Sequence, residues 1–165
     1  MKLPVPFFKQ DTLYTCGPTS LQMVLAFFHD IKSEEALSSR THADPEVGTR
    51  HMALIEAAQK EGFYCYVHDD SSIDEITSFL KLGLPVIVHF TEPVMQQGHY
   101  SVVTAIEDNH ITFNDPWFGK NFKMPIKEFN EQWHSTQVHQ QYKKWIMVIS
   151  KESFELGKQY LPIAH

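Results

Sequence analysis

Cys16 is the residue in this sequence best placed to act as a nucleophile. It lies directly before Gly17 and Pro18, and an apolar run that includes Leu21 and Leu25 follows. This context predicts a helix whose first turn contains the thiol, where backbone N–H groups lack intrahelical partners and the helix dipole favours negative charge. These surroundings stabilise the thiolate, which is the nucleophilic form of cysteine. We therefore take Cys16 as the candidate catalytic residue.

A nucleophilic cysteine needs a base, a group that orients the base, and donors for the developing oxyanion. Of the ten histidines, His99 stands where one predicted strand begins, and Asp115 stands where the next one ends. The turn at residues 107–109 predicts an antiparallel hairpin, so both side chains lie at its open end. A carboxylate beside an imidazole fixes its tautomer and stabilises the imidazolium. His99 is thus the candidate base and Asp115 its orienting partner.

Each of these residues has an ordinary structural explanation when it is taken alone. A histidine at a strand edge often only packs, and Asp-Pro at a strand end is commonly a turn former. Cys65 lies in an aromatic and β-branched pattern and is interpreted as a buried strand cysteine. A disulfide between Cys16 and Cys65 is conceivable but is disfavoured in the cytosol. The combined pattern, rather than any single residue, supports catalysis.

Composition restricts the classes of protein to consider. The chain has 165 residues and a formal net charge of -6, which disfavours a general nucleic-acid surface. No apolar stretch approaches the roughly 20 residues of a membrane helix. The first residues also lack a signal-peptide core, so we expect a cytoplasmic protein with no transmembrane segment. The histidines show no Cys/His ligand spacing, so no metal site and no cofactor is predicted.

The order of predicted elements indicates the fold class. Helices are predicted at residues 18–28, 33–39, 49–61 and 72–82, with a strand at 63–68 between them. Strands at 86–90, 99–106, 110–114 and 144–149 follow, with one short helix at 126–133. Helices first and antiparallel strands second predict a single α+β domain spanning residues 1–165. The tail after residue 151 has some helical spacing but no assigned structure.

Several motifs carry a resemblance to a known family. They are Gln10, Cys16-Gly17-Pro18, Gly98-His99-Tyr100, Asn114-Asp115-Pro116 and Gly119. Together they resemble the C39-type papain-like cysteine peptidases, and are similar to the bacteriocin-processing domains that cut leader peptides after a double glycine. The resemblance covers about residues 7–133 and leaves an extra C-terminal strand and tail, 143–165, outside it. It implies a papain-like fold with N-terminal helices packed on a C-terminal antiparallel sheet.

The resemblance also implies a role for each matched residue. Cys16 matches the nucleophile, His99 the general base and Asp115 the residue that orients the histidine. Gln10 matches the side-chain amide of the oxyanion hole, and the backbone N–H of Cys16 would be the second donor. The implied activity is cleavage of a peptide bond in a peptide or protein substrate.

Two departures from the processing domains weaken the inference about the substrate. The loop at residues 91–97 is longer than expected in those domains, and those domains usually form part of an ABC exporter. The motifs look more like a broader, stand-alone C39-like group. Leader-peptide or double-glycine cleavage is therefore one possibility, and association with an exporter or another protein stays open. An acyltransferase or amidase that uses the same thiol, and a non-catalytic peptide-binding module, remain alternatives.

Overall fold

The computed structural model describes residues 2–135, 142–155 and 157–163. Within these ranges the chain forms five helices and seven strands. The helices are α1 (Cys16–Phe27), α2 (Glu34–Thr41), α3 (His51–Lys60), α4 (Ile73–Lys81) and α5 (Ile126–Gln132). The strands are β1 (Tyr64–His68), β2 (Val86–Thr91), β3 (Gly98–Glu107), β4 (His110–Asp115), β5 (Gly119–Pro125), β6 (Ile146–Ser150) and β7 (Gln159–Tyr160).

The strands form one antiparallel sheet that is covered on both faces. Their order is β5-β4-β3-β2-β6-β1-β7. Residues such as Leu25 and Leu54 of α1 and α3 pack on the face that includes Val102. On the other face Ile76 of α4 and Phe129 of α5 pack in a second cluster. This arrangement confirms the predicted α+β class and the packing of the N-terminal helices on the sheet.

Two strands lie where the sequence pattern predicted none. β5 is an edge strand whose residues are mostly exposed or half-buried, so it lacks the alternating apolar pattern by which a strand is recognised. β7 pairs with β1, with Tyr160 opposite Cys65. The helical spacing noted in the tail therefore does not produce a helix in residues 151–155 and 157–163. Residues 156, 164 and 165 of that tail lie outside the described residues.

The N-terminal arm joins the sheet to the start of α1. The Leu3 N–H donates to the Thr104 carbonyl, and the Asn114 side-chain amide donates to the Val5 carbonyl at 2.8 Å. The arm therefore runs along β3 and β4 and delivers residues 10–16 to the end of the hairpin where β3 begins. No helix in the described ranges is long and apolar enough to cross a membrane.

Candidate active site

Cys16 is half-buried and lies in the first turn of α1, as the sequence predicted, although α1 begins at Cys16 and not at residue 18. Its backbone N–H belongs to the first turn, where no intrahelical carbonyl is available. The Sγ atom accepts a hydrogen bond from the backbone N–H of Tyr100, with an N···S distance of 3.5 Å. The start of α1 is thus fixed against the start of β3. The backbone donor on Tyr100 could not be predicted, because every residue type except proline carries the same N–H.

His99 and Asp115 meet at the open end of the β3–β4 hairpin. His99 Nε2 lies 2.9 Å from Asp115 Oδ1 and 3.0 Å from Oδ2, and both side chains are buried. The register places Val102 opposite Asn114, which leaves His99 and Asp115 just beyond the last paired residues. The juxtaposition predicted from the turn at residues 107–109 is therefore present. Because Nε2 faces the carboxylate, Nδ1 is the ring nitrogen left to exchange a proton with the thiol.

The surroundings of His99 favour its charged form. Burial acts to lower the pKa of His99, but the charge and hydrogen bond of Asp115 and the adjacent Cys16 sulfur outweigh burial and raise it to about 10. Burial likewise acts to raise the pKa of Asp115, yet the positive charge of His99 holds it below its ordinary value. The pair is therefore an imidazolium and a carboxylate at neutral pH, with the imidazolium beside Cys16.

A tight turn after β4 holds the Asp115 carboxylate in place. Asp115 Oδ1 accepts the backbone N–H groups of Trp117 at 2.9 Å and of Phe118 at 2.8 Å. The ring of Phe118 also contacts His99, with 5.9 Å between ring centroids. Asp115 therefore both stabilises the turn and belongs to the candidate site. Its carboxylate cannot rotate away from His99 without losing the two backbone donors.

Gln10 lies in the same cavity as Cys16 and His99. Its side chain is buried, and Nε2 donates to the Thr12 carbonyl at 2.6 Å. An amide nitrogen carries two hydrogens, so this bond leaves one for an acceptor in the cavity. The Gln10 backbone N–H donates to the Pro116 carbonyl at 2.9 Å, which ties the loop to the turn after Asp115. All four predicted site residues are therefore brought together at one end of the sheet.

A carboxylate on α2 braces this loop, and sequence reasoning missed it. Glu34 accepts the Asp11 N–H, with distances of 3.1 and 3.2 Å to its two oxygens. The same carboxylate accepts the hydroxyl of Thr19, one turn into α1. Glu34 thereby joins the segment that carries Gln10 to the helix that carries Cys16. Its place in the acidic first turn of a short helix indicated only helix stabilisation.

Two other histidines lie near the site but differ from His99 in charge. His51 is hydrogen-bonded to the Tyr100 hydroxyl, with 2.5 Å between His51 Nδ1 and the hydroxyl oxygen. The single hydrogen of this hydroxyl is donated to the Thr49 carbonyl at 2.8 Å, so His51 Nδ1 is the donor in the other bond. Burial and the nearby His89 lower the pKa of His51 to about 2. Burial and the charge of His99 lower the pKa of His89 to about 3. Both remain neutral imidazoles at neutral pH, so neither is an imidazolium partner for Cys16.

The second cysteine, Cys65, has the surroundings of a core residue. Cys65 lies in β1, is buried and unpaired, and burial raises its pKa to about 12, which confirms its interpretation as a core residue. Within residues 2–135, 142–155 and 157–163, no group of three or more histidine, cysteine or carboxylate side chains has an arrangement that could hold a metal ion.

Comparison with solved structures places the fold among known peptidase domains. The chain superposes on the peptidase domain of Streptococcus ComA, a bifunctional ABC transporter, with a TM-score of 0.71 and 22% identity, covering 88% of this chain and 97% of that one. A double glycine motif protease from an AMS/PCAT transporter, solved with its leader peptide, gives a TM-score of 0.71 at 20% identity over 90% and 92% of the two chains. A Bacillus anthracis protein assigned to the C39-like peptidases gives 0.74 at 18% identity over 93% and 100%.

Sequence comparison agrees with the structural likeness. An uncharacterized protein of Methanothermobacter marburgensis is 30% identical over 112 residues, which is 68% of this chain and 72% of that protein. The family model described as "Peptidase_C39 like family" matches residues 2–141. That range contains α1, the β3–β4 hairpin and all four predicted site residues. The chain is therefore a member of the C39-like peptidase family.

Proposed function

We propose that this protein is a thiol-dependent peptidase in which Cys16 is the nucleophile. The observation that carries the proposal is the hydrogen-bonded pair of His99 and Asp115 beside the Cys16 thiol. Nucleophile, base and orienting carboxylate are the three parts that covalent catalysis by a thiol requires. Burial of the pair excludes water, so its charges act on the thiol with little screening.

The proposed reaction has two steps. The Cys16 thiolate attacks the scissile carbonyl carbon, and the carbonyl oxygen becomes an oxyanion that accepts from Gln10 Nε2 and the Cys16 N–H. The intermediate collapses as the C–N bond breaks, and the leaving amine takes the proton that His99 Nδ1 carries. His99, now neutral, removes a proton from water, which attacks the thioester. The acid product leaves, and the thiolate and imidazolium are restored.

The proposed substrate is a peptide or a segment of a protein chain. Two of the structures with this fold are transporter peptidase domains, and one of these was solved with its leader peptide. By analogy, a leader peptide cut after a double glycine is the specific candidate substrate. The family membership and the shared fold support this class of substrate by analogy.

The experiment is mass spectrometry of a peptide library after incubation with the wild type, Cys16→Ala, His99→Ala and Cys65→Ala. We expect new termini with the wild type and with Cys65→Ala, and none with Cys16→Ala or His99→Ala. Cys65→Ala is the matched control because it removes the other thiol. Full cleavage by Cys16→Ala would overturn the proposal.

The same library separates the two alternative functions. A peptide-binding module would retain library peptides and yield no Cys16-dependent termini with any variant. An acyltransferase would yield amide products instead of free acids when an amine such as glycinamide is added. Free acid termini that persist in the presence of the amine would support hydrolysis.

A further inference from the structure

We propose that the cavity on the His99 side of Cys16 binds a large apolar side chain that lies after the scissile bond of the substrate. This inference rests on the proposed peptidase function and adds to it a preference for the substrate. It concerns the part of the substrate on the C-terminal side of the scissile bond, which leaves with the amine. A double glycine would lie on the N-terminal side.

The chemistry assigns a side of the substrate to each of two cavities that meet at Cys16. One is lined by Cys16, Gln10 and His99, and the other by Cys16 and the loop that contains Gly48, without His99. The group that protonates the leaving amine must lie within hydrogen-bond reach of that nitrogen. The leaving half of the substrate therefore lies on the His99 side, and the acyl half lies towards Gly48.

Several exposed apolar side chains line the cavity on the His99 side. Leu13 is 70% exposed, Val94 73%, Met95 53% and Trp117 41%, and the half-buried ring of Phe118 lies beside them. Single exposed apolar residues are common on protein surfaces, but a group of them around one cavity marks a binding site. Each of these side chains would lose exposed apolar surface when a peptide side chain enters.

The loop that carries two of these residues is held in a defined shape. Glu92 is buried and its carboxylate accepts the backbone N–H groups of Val94 at 2.8 Å and Met95 at 2.7 Å. It also accepts the Gln97 N–H at 3.3 Å, while the Glu92 N–H donates to the Gln97 carbonyl at 2.9 Å. The carboxylate thus binds the loop's own amides, and the apolar side chains of Val94 and Met95 line the cavity and are exposed. A preformed apolar wall costs little ordering on binding.

The charges around this cavity also disfavour an acidic occupant. Besides Cys16, its ionisable lining residues are His99 and Glu92, and both already have partners, His99 with Asp115 and Glu92 with backbone amides. An acidic side chain entering the cavity would lose hydration, would be repelled by the Glu92 carboxylate and would find the charge of His99 already paired with Asp115. A leucine, methionine or aromatic side chain would lose no such hydration, so these are the residues we expect.

The test uses the peptide library with the wild type, Cys16→Ala, the double variant Val94→Ser/Met95→Ser and Leu82→Ser. Leu82 is 73% exposed, as Val94 is, but lies at the end of α4 away from the site, so it is the matched control. In the wild type we expect large apolar residues at one of the first two positions after the cut, about tenfold over acidic ones. The double variant loses most of this preference, whereas Leu82→Ser retains it.

The outcomes distinguish failure of this inference from failure of the proposed function. Cys16-dependent cleavage without an apolar preference after the cut would overturn this inference and leave the proposed function standing. The same holds if the preference persists in the double variant. If the library yields no Cys16-dependent cleavage, the proposed function is overturned and this inference falls with it.

Discussion

Asp115 is the residue that sets the charge of the candidate base. Its carboxylate is buried, receives two backbone N–H groups and lies within hydrogen-bond distance of His99 Nε2. An opposite charge at this distance stabilises the imidazolium against the effect of burial. His51 and His89 have burial without such a partner, and their pKa values move the other way, to about 2 and about 3.

The first prediction concerns the titration of these histidines. In a protein with ¹³C-labelled histidine, NMR should show His99 protonated until the pH approaches its pKa of about 10, with His51 and His89 neutral from pH 5 to 8. In Asp115→Asn the lost charge should lower the pKa of His99 by about 1 to 3 pH units. A His99 titration that is unchanged by this substitution would contradict the assigned role of Asp115.

The second prediction separates Gln10 from the nucleophile. Gln10→Ala removes the proposed oxyanion donor and should lower kcat for peptide cleavage by about 10²- to 10³-fold. Alkylation of Cys16 by iodoacetamide forms no oxyanion, so its rate should stay within about twofold of the wild type. The two rates are measured on the same preparations. If alkylation slows as much as cleavage, Gln10 acts on the thiol or on the fold instead.

At the residue scale, the sequence predicted the side chains that meet at the site but not the backbone groups that hold them. Cys16, His99 and Asp115 were recognisable because their types and their positions at helix and strand ends are unusual together. The amides of Tyr100 and Trp117 are donors that any residue type could supply, so no sequence signal marks them.

At the scale of elements, the first turn of α2 links two parts of the site. Glu34 bonds both the loop after Gln10 and the first turns of α1. Glu35, the next residue, is exposed and shares only the favourable position at the helix N-terminus. Substitutions of Glu34 and Glu35 can therefore be compared to distinguish a positioning role from general helix stabilisation.

The third prediction compares substitutions of Glu34 and Glu35. Glu34→Ala should lower kcat about three- to tenfold, because a displaced oxyanion donor loses part of its effect. Glu35→Ala should leave kcat unchanged. Steady-state kinetics together with the melting temperature of each variant provides the measurement. Equal effects of the two substitutions on kcat would show that Glu34 does not position the loop.

The sequence predicted the strands that have a repeating apolar pattern but not the two strands at the edges of the sheet. The hairpin of β3 and β4 has long buried strands and a two-residue turn at Asp108 and Asn109 with positive φ, so its position was recognisable. β5 and β7 are sheet edges, and β7 exists because it pairs with β1. The partner of β7 is distant in sequence, which local patterns do not reveal. β5 pairs with the neighbouring β4, but its mostly exposed residues give no alternating apolar pattern.

At the scale of the whole molecule, the site contributes to stability in a pH-dependent way. The pKa of His99 rises from 6.5 to about 10 on folding, so its protonation stabilises the folded state. That contribution is complete below pH 6.5 and disappears as the pH rises through about 10. The lowered pKa of Asp115 adds a contribution that is lost only as the pH falls below its ordinary range.

The fourth prediction follows from this linkage. Urea denaturation should show the free energy of unfolding of the wild type falling between pH 6.5 and about 10. The variant His99→Gln/Asp115→Asn lacks both titrating groups, so its stability should depend less on pH over that range. Parallel pH dependences of the two proteins would contradict the assigned charge of the pair.

The measurement that tests the central claim most directly is the rate of iodoacetamide labelling, followed by peptide mapping and by activity. We expect Cys16 to be labelled at least about tenfold faster than Cys65 at near-neutral pH, and His99→Ala to slow this labelling. Peptide cleavage should fall in proportion to the labelled fraction of Cys16. A protein whose Cys16 is fully alkylated and which still cleaves at the wild-type rate would contradict the account.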